Sequence, residues 1–113
     1  MLLMQDFVVG GKEYLVMDSM SSFRPGAAAI RLLAHRRDGV GADRVLLRIG
    51  HQADAREAFV AFRADGTAGK VTAEDLQVLL HAVPSCEMRL TASFVQRLRA
   101  ADAAAVAEQF LAS

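Results

Sequence analysis

Runs of apolar residues separated by glycine turns dominate the first half of the chain. Leu2–Val9 and Glu13–Asp18 flank Gly10–Gly11, a pattern that predicts a β-hairpin. Ala27–Ala34 then carries apolar residues at helical spacing, and Gly39 follows as a helix stop. The first half therefore begins with two short strands and an amphipathic helix.

Two further strands and a second helix are predicted in the centre of the chain. Arg44–Ile49 is a short apolar strand, and Glu57–Arg63 has apolar residues on both faces, which is typical of a sheet covered on both sides. Thr72 is a good N-cap with Asp75 at the capping-box position. The stripe after this cap ends before Pro84 and consists of Leu76, Leu79, Leu80 and Val83.

The pattern of residues in the last third of the chain predicts one strand and one helix. Glu87–Phe94 alternates polar and apolar residues, as in a strand with one solvated face. Gln96–Ala112 is an alanine-rich helix, and the N-cap-like Asp102 is a position at which this helix could begin or restart. The order ββαββαβα indicates an α+β domain in which a mainly antiparallel sheet wraps around a central helix.

Composition narrows the class of protein. A chain of 113 residues with 53% hydrophobic residues fits one domain over residues 1–113. Its 13 basic and 13 acidic residues balance, which excludes the uncompensated positive charge expected of a nucleic-acid or anionic-membrane surface. No secretory signal or membrane-spanning run is evident, and the single Cys86 favours a reducing cytoplasm.

Generic chemical motifs give no catalytic, metal or cofactor site. The three histidines, His35, His51 and His81, share no metal-ligand spacing. Gly39–Asp43 follows a helix and opens a strand, the reverse of the context in which a glycine loop binds phosphate. Cys86 has no histidine as a sequence neighbour and is interpreted as a partly buried thiol. We therefore expect no metal and no cofactor.

Three blocks of sequence, in order, resemble the N-terminal lobe of diaminopimelate epimerase. They are Val9–Asp18, Ile30–Asp43 with its His-Arg-Arg and Gly-Val-Gly-Ala-Asp, and Phe62–Thr67 with Ala-Asp-Gly-Thr. The resemblance implies a lobe built from an antiparallel sheet around a central helix. In that family two such lobes enclose a cleft, and one cysteine from each lobe moves a proton at an amino-acid α-carbon.

The positions that carry this chemistry in the family differ here. Lys12 and Arg63 stand where the family has substrate-binding asparagines, and Thr72 stands where it has its catalytic cysteine. Glu74 stands in place of the asparagine in the Gly-Asn pair that follows this cysteine in the family. A threonine hydroxyl is far too weak an acid to replace the thiol. Alternatively, Lys12 and Arg63 are ordinary exposed charges, and Thr72 is a helix N-cap.

The resemblance and its departures together predict a pseudoenzyme. We expect it to bind an anionic small molecule or a peptide carboxylate in a biosynthetic pathway, using the four residues Lys12, Arg63, Thr72 and Glu74. A lobe without its neighbour also suggests a homodimer. One alternative is an isomerase or lyase using Cys86, Asp65 or His81 in a dimer cleft; another is a subunit that completes a partner chain.

Overall fold

The computed structural model describes residues 2–18, 25–48, 59–81 and 86–112. The elements in chain order are β1 (Leu2–Val9), β2 (Lys12–Asp18), α1 (Ala27–Ala34), β3 (Arg44–Arg48), β4 (Phe59–Arg63), β5 (Ala68–Gly69), α2 (Ala73–His81), β6 (Cys86–Leu90) and α3 (Ala92–Ala112). The predicted order of elements is confirmed, with the two-residue strand β5 added between β4 and α2.

The six strands form one mixed sheet in the order β5-β4-β3-β2-β1-β6. The predicted β1–β2 hairpin is confirmed, and Gly10 and Gly11 both adopt positive φ in its turn. Only β2 and β3, joined through α1, pair in parallel; every other described pair is antiparallel. The fold is therefore α+β with a mostly antiparallel sheet.

One face of the sheet packs against α1 and α3. The cluster of buried residues on this side comprises Met4, Leu15, Met17, Ala29, Ile30, Leu33, Ala34, Ala42, Val45, Leu47, Leu90 and Leu98. Small residues on α1 let it approach α3 closely, and Leu98 places the first half of α3 in the same core. This side holds the larger core.

The other face packs against α2. Its buried cluster contains Phe7, Tyr14, Leu46, Ala61 and Val78. Helices thus lie on both faces of the sheet, so these clusters do not describe a sheet wrapped around one central helix. The prediction that β4 is covered on both faces is confirmed, because consecutive residues of that strand pack into different clusters.

The α2 helix buries the predicted stripe only in part, since Leu79 packs in the core and Leu80 does not. Val78 is fully buried and Leu79 packs beside it, whereas Leu80 is 63% exposed. Val83 lies outside the described residues. Leu80 was assigned wrongly and Val78 was missed because apolar residues in α2 fit several helical faces, and the sequence does not show which face meets the sheet.

The predicted strand over Glu87–Phe94 is confirmed for Glu87–Leu90 and wrong beyond it. The side-chain oxygen of Thr91 accepts a hydrogen bond from the Phe94 amide at 3.2 Å, which makes Thr91 the N-cap of α3. The helix therefore starts at Ala92, four residues before the predicted Gln96. The alternation of polar and apolar residues in the sequence continues by chance into the first turn of α3.

The suggestion that a helix begins at Asp102 is wrong. Asp102 lies within α3 and caps the start of α1. Its two carboxylate oxygens accept hydrogen bonds from the amides of Gly26 and Ala29, both at 2.8 Å. The N-cap position of α1 is Gly26, which has no side chain to serve this purpose. A neighbouring helix thus supplies the acceptor that the local sequence lacks.

None of the helices in the described parts of the chain is long and apolar enough to cross a membrane.

Candidate binding site

The candidate site lies where one end of the sheet meets the start of α2. Tyr14 of β2 is opposite Arg44 of β3, which is opposite Arg63 of β4. Directly opposed residues project from the same face of a sheet. Tyr14 belongs to the α2-side cluster, so this row of side chains faces α2. Lys12, two residues before Tyr14, projects to the same side.

A buried ion pair fixes α2 to the sheet. Asp75 is fully buried, and both of its oxygens accept hydrogen bonds from Arg44, at 2.7 Å from Nε and 2.6 Å from Nη2. This two-point contact satisfies the fork of the guanidinium and orients both groups. The bond to Asp75 is the main cause of the raised pKa of Arg44, which stays a cation at all ordinary pH values.

Asp75 also closes the capping box predicted from the sequence. The Thr72 side-chain oxygen accepts a hydrogen bond from the Asp75 amide at 3.1 Å, and the Asp75 carboxylate accepts one from the Thr72 amide at 2.9 Å. The helix-capping interpretation of Thr72 is therefore confirmed. The Thr72 hydroxyl therefore holds the start of α2.

Lys12 and Glu74 join the β1–β2 hairpin to the first turn of α2. Their charged atoms lie 3.3 Å apart, and their side chains remain 55% and 68% exposed. The Tyr14 hydroxyl donates to the same Glu74 oxygen at 3.4 Å. We call Lys12, Tyr14, Arg44, Thr72, Glu74 and Asp75 together the hairpin–α2 cluster.

Burial raises the pKa of Tyr14 above its usual value near 10, and the negative charge of Glu74 raises it further. Lys12 acts in the opposite direction, since its positive charge favours the phenolate. Tyr14 is therefore neutral at physiological pH, and its hydroxyl serves as a hydrogen-bond donor to Glu74.

Arg63 lies on the same face but makes its contacts within the turn between β4 and β5. Its Nη1 donates to the Thr67 hydroxyl at 3.2 Å and to the Ala68 carbonyl at 3.5 Å. Asp65 accepts two hydrogen bonds from Thr67, which lower the pKa of this carboxyl. Arg63 is an exposed cation at the rim of the face that contains the hairpin–α2 cluster.

Of the four residues singled out from the sequence, the structure brings three together. Lys12, Thr72 and Glu74 belong to the hairpin–α2 cluster, whereas no described contact joins Arg63 to it. Tyr14 and Arg44 were not predicted from the sequence to belong to a site. The sequence indicates their role only weakly, because tyrosine and arginine are common in strands. Only the register of the strands shows that the two residues are neighbours.

Asp65 and Cys86, two of the residues named for the isomerase or lyase alternative, lie at strands far apart in the sheet. Asp65 follows β4, and Cys86 begins β6, four strands away in the sheet order. Four strand spacings amount to about 19 Å. His81 ends α2, but its side chain lies outside the described residues, as does that of Cys86. No group of three His, Cys, Asp or Glu side chains suited to a metal occurs in the described parts of the chain.

Neither a protein-family model nor a curated protein matches the sequence. The function is therefore inferred from the chemistry of the site.

Proposed function

We propose that the chain is a non-catalytic relative of one diaminopimelate epimerase lobe, and that it binds an anionic small molecule or a peptide carboxylate next to Lys12. The ordered sequence blocks support this proposal, and the mostly antiparallel α+β class agrees with it. The fold departs from such a lobe in having helices on both faces of the sheet. A place in a biosynthetic pathway belongs to this proposal, since it comes from the same resemblance.

The absence of catalysis is supported by the state of Thr72. Its side-chain oxygen accepts the Asp75 amide and stands in a capping box, so it has a structural role at the start of α2. No described histidine side chain contacts it to act as the base that a hydroxyl nucleophile needs. A proton-transfer role at this position has no supporting geometry.

The observation that carries the binding proposal is the exposed Lys12–Glu74 pair above the buried Tyr14 and the Arg44–Asp75 bridge. An exposed ion pair contributes little to stability, about 0–1 kcal/mol, and is easily exchanged. A ligand carboxylate can replace Glu74 as the partner of Lys12, while the bridge beneath keeps the site rigid. Arg63 supplies a second cation on the same face for a longer ligand with two anionic groups.

Calorimetric titration with a panel of mono- and dicarboxylates, diaminopimelate and peptides with free C-termini tests this proposal. We expect Lys12→Ala to weaken binding roughly tenfold, because it removes a charge-assisted hydrogen bond. Lys70→Ala removes an exposed lysine from the β5–α2 connection and is the matched control, with affinity expected to be unchanged.

Glu74→Gln provides the sharper test, because the expected change is a gain. Replacing the carboxylate that competes for Lys12 should tighten anion binding roughly threefold or more. Lack of binding by every compound at millimolar concentration would reject the proposal. Equal affinities in Lys12→Ala and the parent chain would also reject it, by placing the anion elsewhere.

A further inference from the structure

Strand β6 forms one edge of the sheet and pairs with β1 on its inner side. Met88 packs against the α1-side core and Leu90 is buried in it. Glu87 and Arg89 project to the opposite face, where both are exposed. Glu87 accepts one hydrogen bond there, from the Gln5 side-chain amide at 3.2 Å. The edge strand β6 thus has one acidic and one basic side chain, two residues apart, on its exposed face.

This pattern is complementary to itself. When two copies of β6 pair antiparallel about a two-fold axis at Met88, Glu87 of each copy is directly opposite Arg89 of the other. Opposite charges in directly opposed positions attract across strands. The symmetry makes this pair twice, once on each side of the axis.

The same charges disfavour the neighbouring registers. Moving the axis to residue 87 places two glutamates opposite each other, and moving it to residue 89 does the same with two arginines. A slip of one residue between the strands places side chains of the solvated face opposite those of the core face. One register therefore combines charge attraction with matched faces.

In that register, the apolar face also continues from one copy to the other. Met88 lies opposite its own counterpart, beside the core of each copy. The opposite edge of the sheet is the two-residue strand β5, Ala68–Gly69, which is too short to offer a comparable ladder.

We propose that β6 is a self-association surface, and that a second copy of this chain pairs with it antiparallel about Met88 to give one continuous sheet. The inference is independent of ligand binding at Lys12. A five-residue strand pair is a small interface, so we expect a dissociation constant in the micromolar range.

Charge reversal tests the proposal by sedimentation equilibrium from about 10 µM to about 1 mM, where a micromolar dimer is resolved. Glu87→Arg alone places two arginines opposite each other across the axis, and Arg89→Glu alone places two glutamates there. Each single variant should weaken the dimer roughly tenfold. The double variant Glu87→Arg/Arg89→Glu restores opposite charges and should recover the parent affinity. Lys70→Glu, which changes charge at the other edge, should have no effect.

Mixing the two single variants gives a second readout that does not depend on the stability of either alone. One variant carries two basic residues on β6 and the other carries two acidic residues, so the mixture should form a heterodimer more tightly than either forms a homodimer. A chain that is monomeric up to about 1 mM would overturn the proposal, as would charge reversals that leave a dimer unchanged. Failure of both the double variant and the mixture to restore association would overturn it too.

Discussion

A buried aspartate and a largely buried arginine join α2 to the centre of the sheet. The Arg44 side chain is 19% exposed and that of Asp75 is not exposed at all. Each ion loses much of its hydration in the fold, and the two short hydrogen bonds between them offset part of the free-energy cost of that loss. The hairpin–α2 cluster is built on this pair, with the exposed Lys12 and Glu74 above it.

Asp75→Asn should lower the free energy of unfolding by about 3 kcal/mol, because it leaves the guanidinium of Arg44 without its counter-charge in a largely buried position. Urea denaturation measures the change. Glu74→Gln is the neighbouring control, with an expected cost below about 1 kcal/mol, since its ion pair is exposed. Similar losses in the two variants would contradict the distinction between the two pairs.

Tyr14 is the single tyrosine in a chain without tryptophan, so absorbance near 295 nm reports its ionisation alone. Burial and Glu74 raise the pKa of Tyr14, and its titration midpoint should therefore lie above 10 in the folded chain. The midpoint should return to about 10 in urea. We expect Glu74→Gln to lower the folded midpoint part of the way, leaving the effect of burial.

The same shift makes stability depend on pH. Above about pH 10 the unfolded chain loses the tyrosine proton while the folded chain keeps it, so the free energy of unfolding falls as the pH rises. Tyr14→Phe should remove this part of the alkaline decline in urea denaturation curves. An unchanged decline in the variant, or a folded midpoint at or below 10, would contradict the environment described for Tyr14.

At the scale of elements, α1 depends on a residue from another helix. Asp102 of α3 accepts the amides of Gly26 and Ala29 at the start of α1. A Cβ atom at Gly26 would lie 3.0 Å from an Asp102 oxygen, so the close approach also favours glycine there. The packing of α1 on α3 is thereby linked to the capping of α1.

Asp102→Ala should destabilise the protein by about 1–2 kcal/mol, the usual cost of losing an N-cap acceptor. Asp102→Asn should recover part of this loss, because its amide oxygen still accepts a hydrogen bond. Thermal unfolding measures both variants, with Glu108→Ala as the control on an exposed turn of the same helix. If Asp102→Ala unfolds at the temperature of the control, this capping contact contributes nothing to stability.

The elements were largely predictable because local patterns specify them. The hairpin turn, the capping box at Thr72 and the short apolar strands each depend on neighbouring residues, and the structure agrees with them. One error arose where a distant residue decided the outcome, and the other where two local patterns competed. Asp102 reads locally as the start of a helix, and the alternating residues after Leu90 continue a strand pattern, yet the Thr91 cap begins α3 there.

At the scale of the whole molecule, the arrangement of layers could not be predicted in full. The pattern of β4 indicated cover on both faces, but the assignment of α1 and α3 to one face and α2 to the other depends on chain crossings that no local pattern records. The same limit applied to the site. Sequence similarity drew attention to Lys12, Thr72 and Glu74, whereas the register of β2 and β3 was needed to add Tyr14 and Arg44.

A two-dimensional amide NMR titration with the same carboxylates and peptides, diaminopimelate included, locates a bound anion residue by residue and so tests anion binding beside Lys12. We expect saturable shifts centred on the amides of Lys12, Glu74 and Asp75, with saturation at a lower ligand concentration in Glu74→Gln and at a roughly tenfold higher concentration in Lys12→Ala. Shifts centred on other parts of the sheet, or no shifts with any of these compounds at millimolar concentration in the parent chain and in Glu74→Gln, would rule out anion binding beside Lys12.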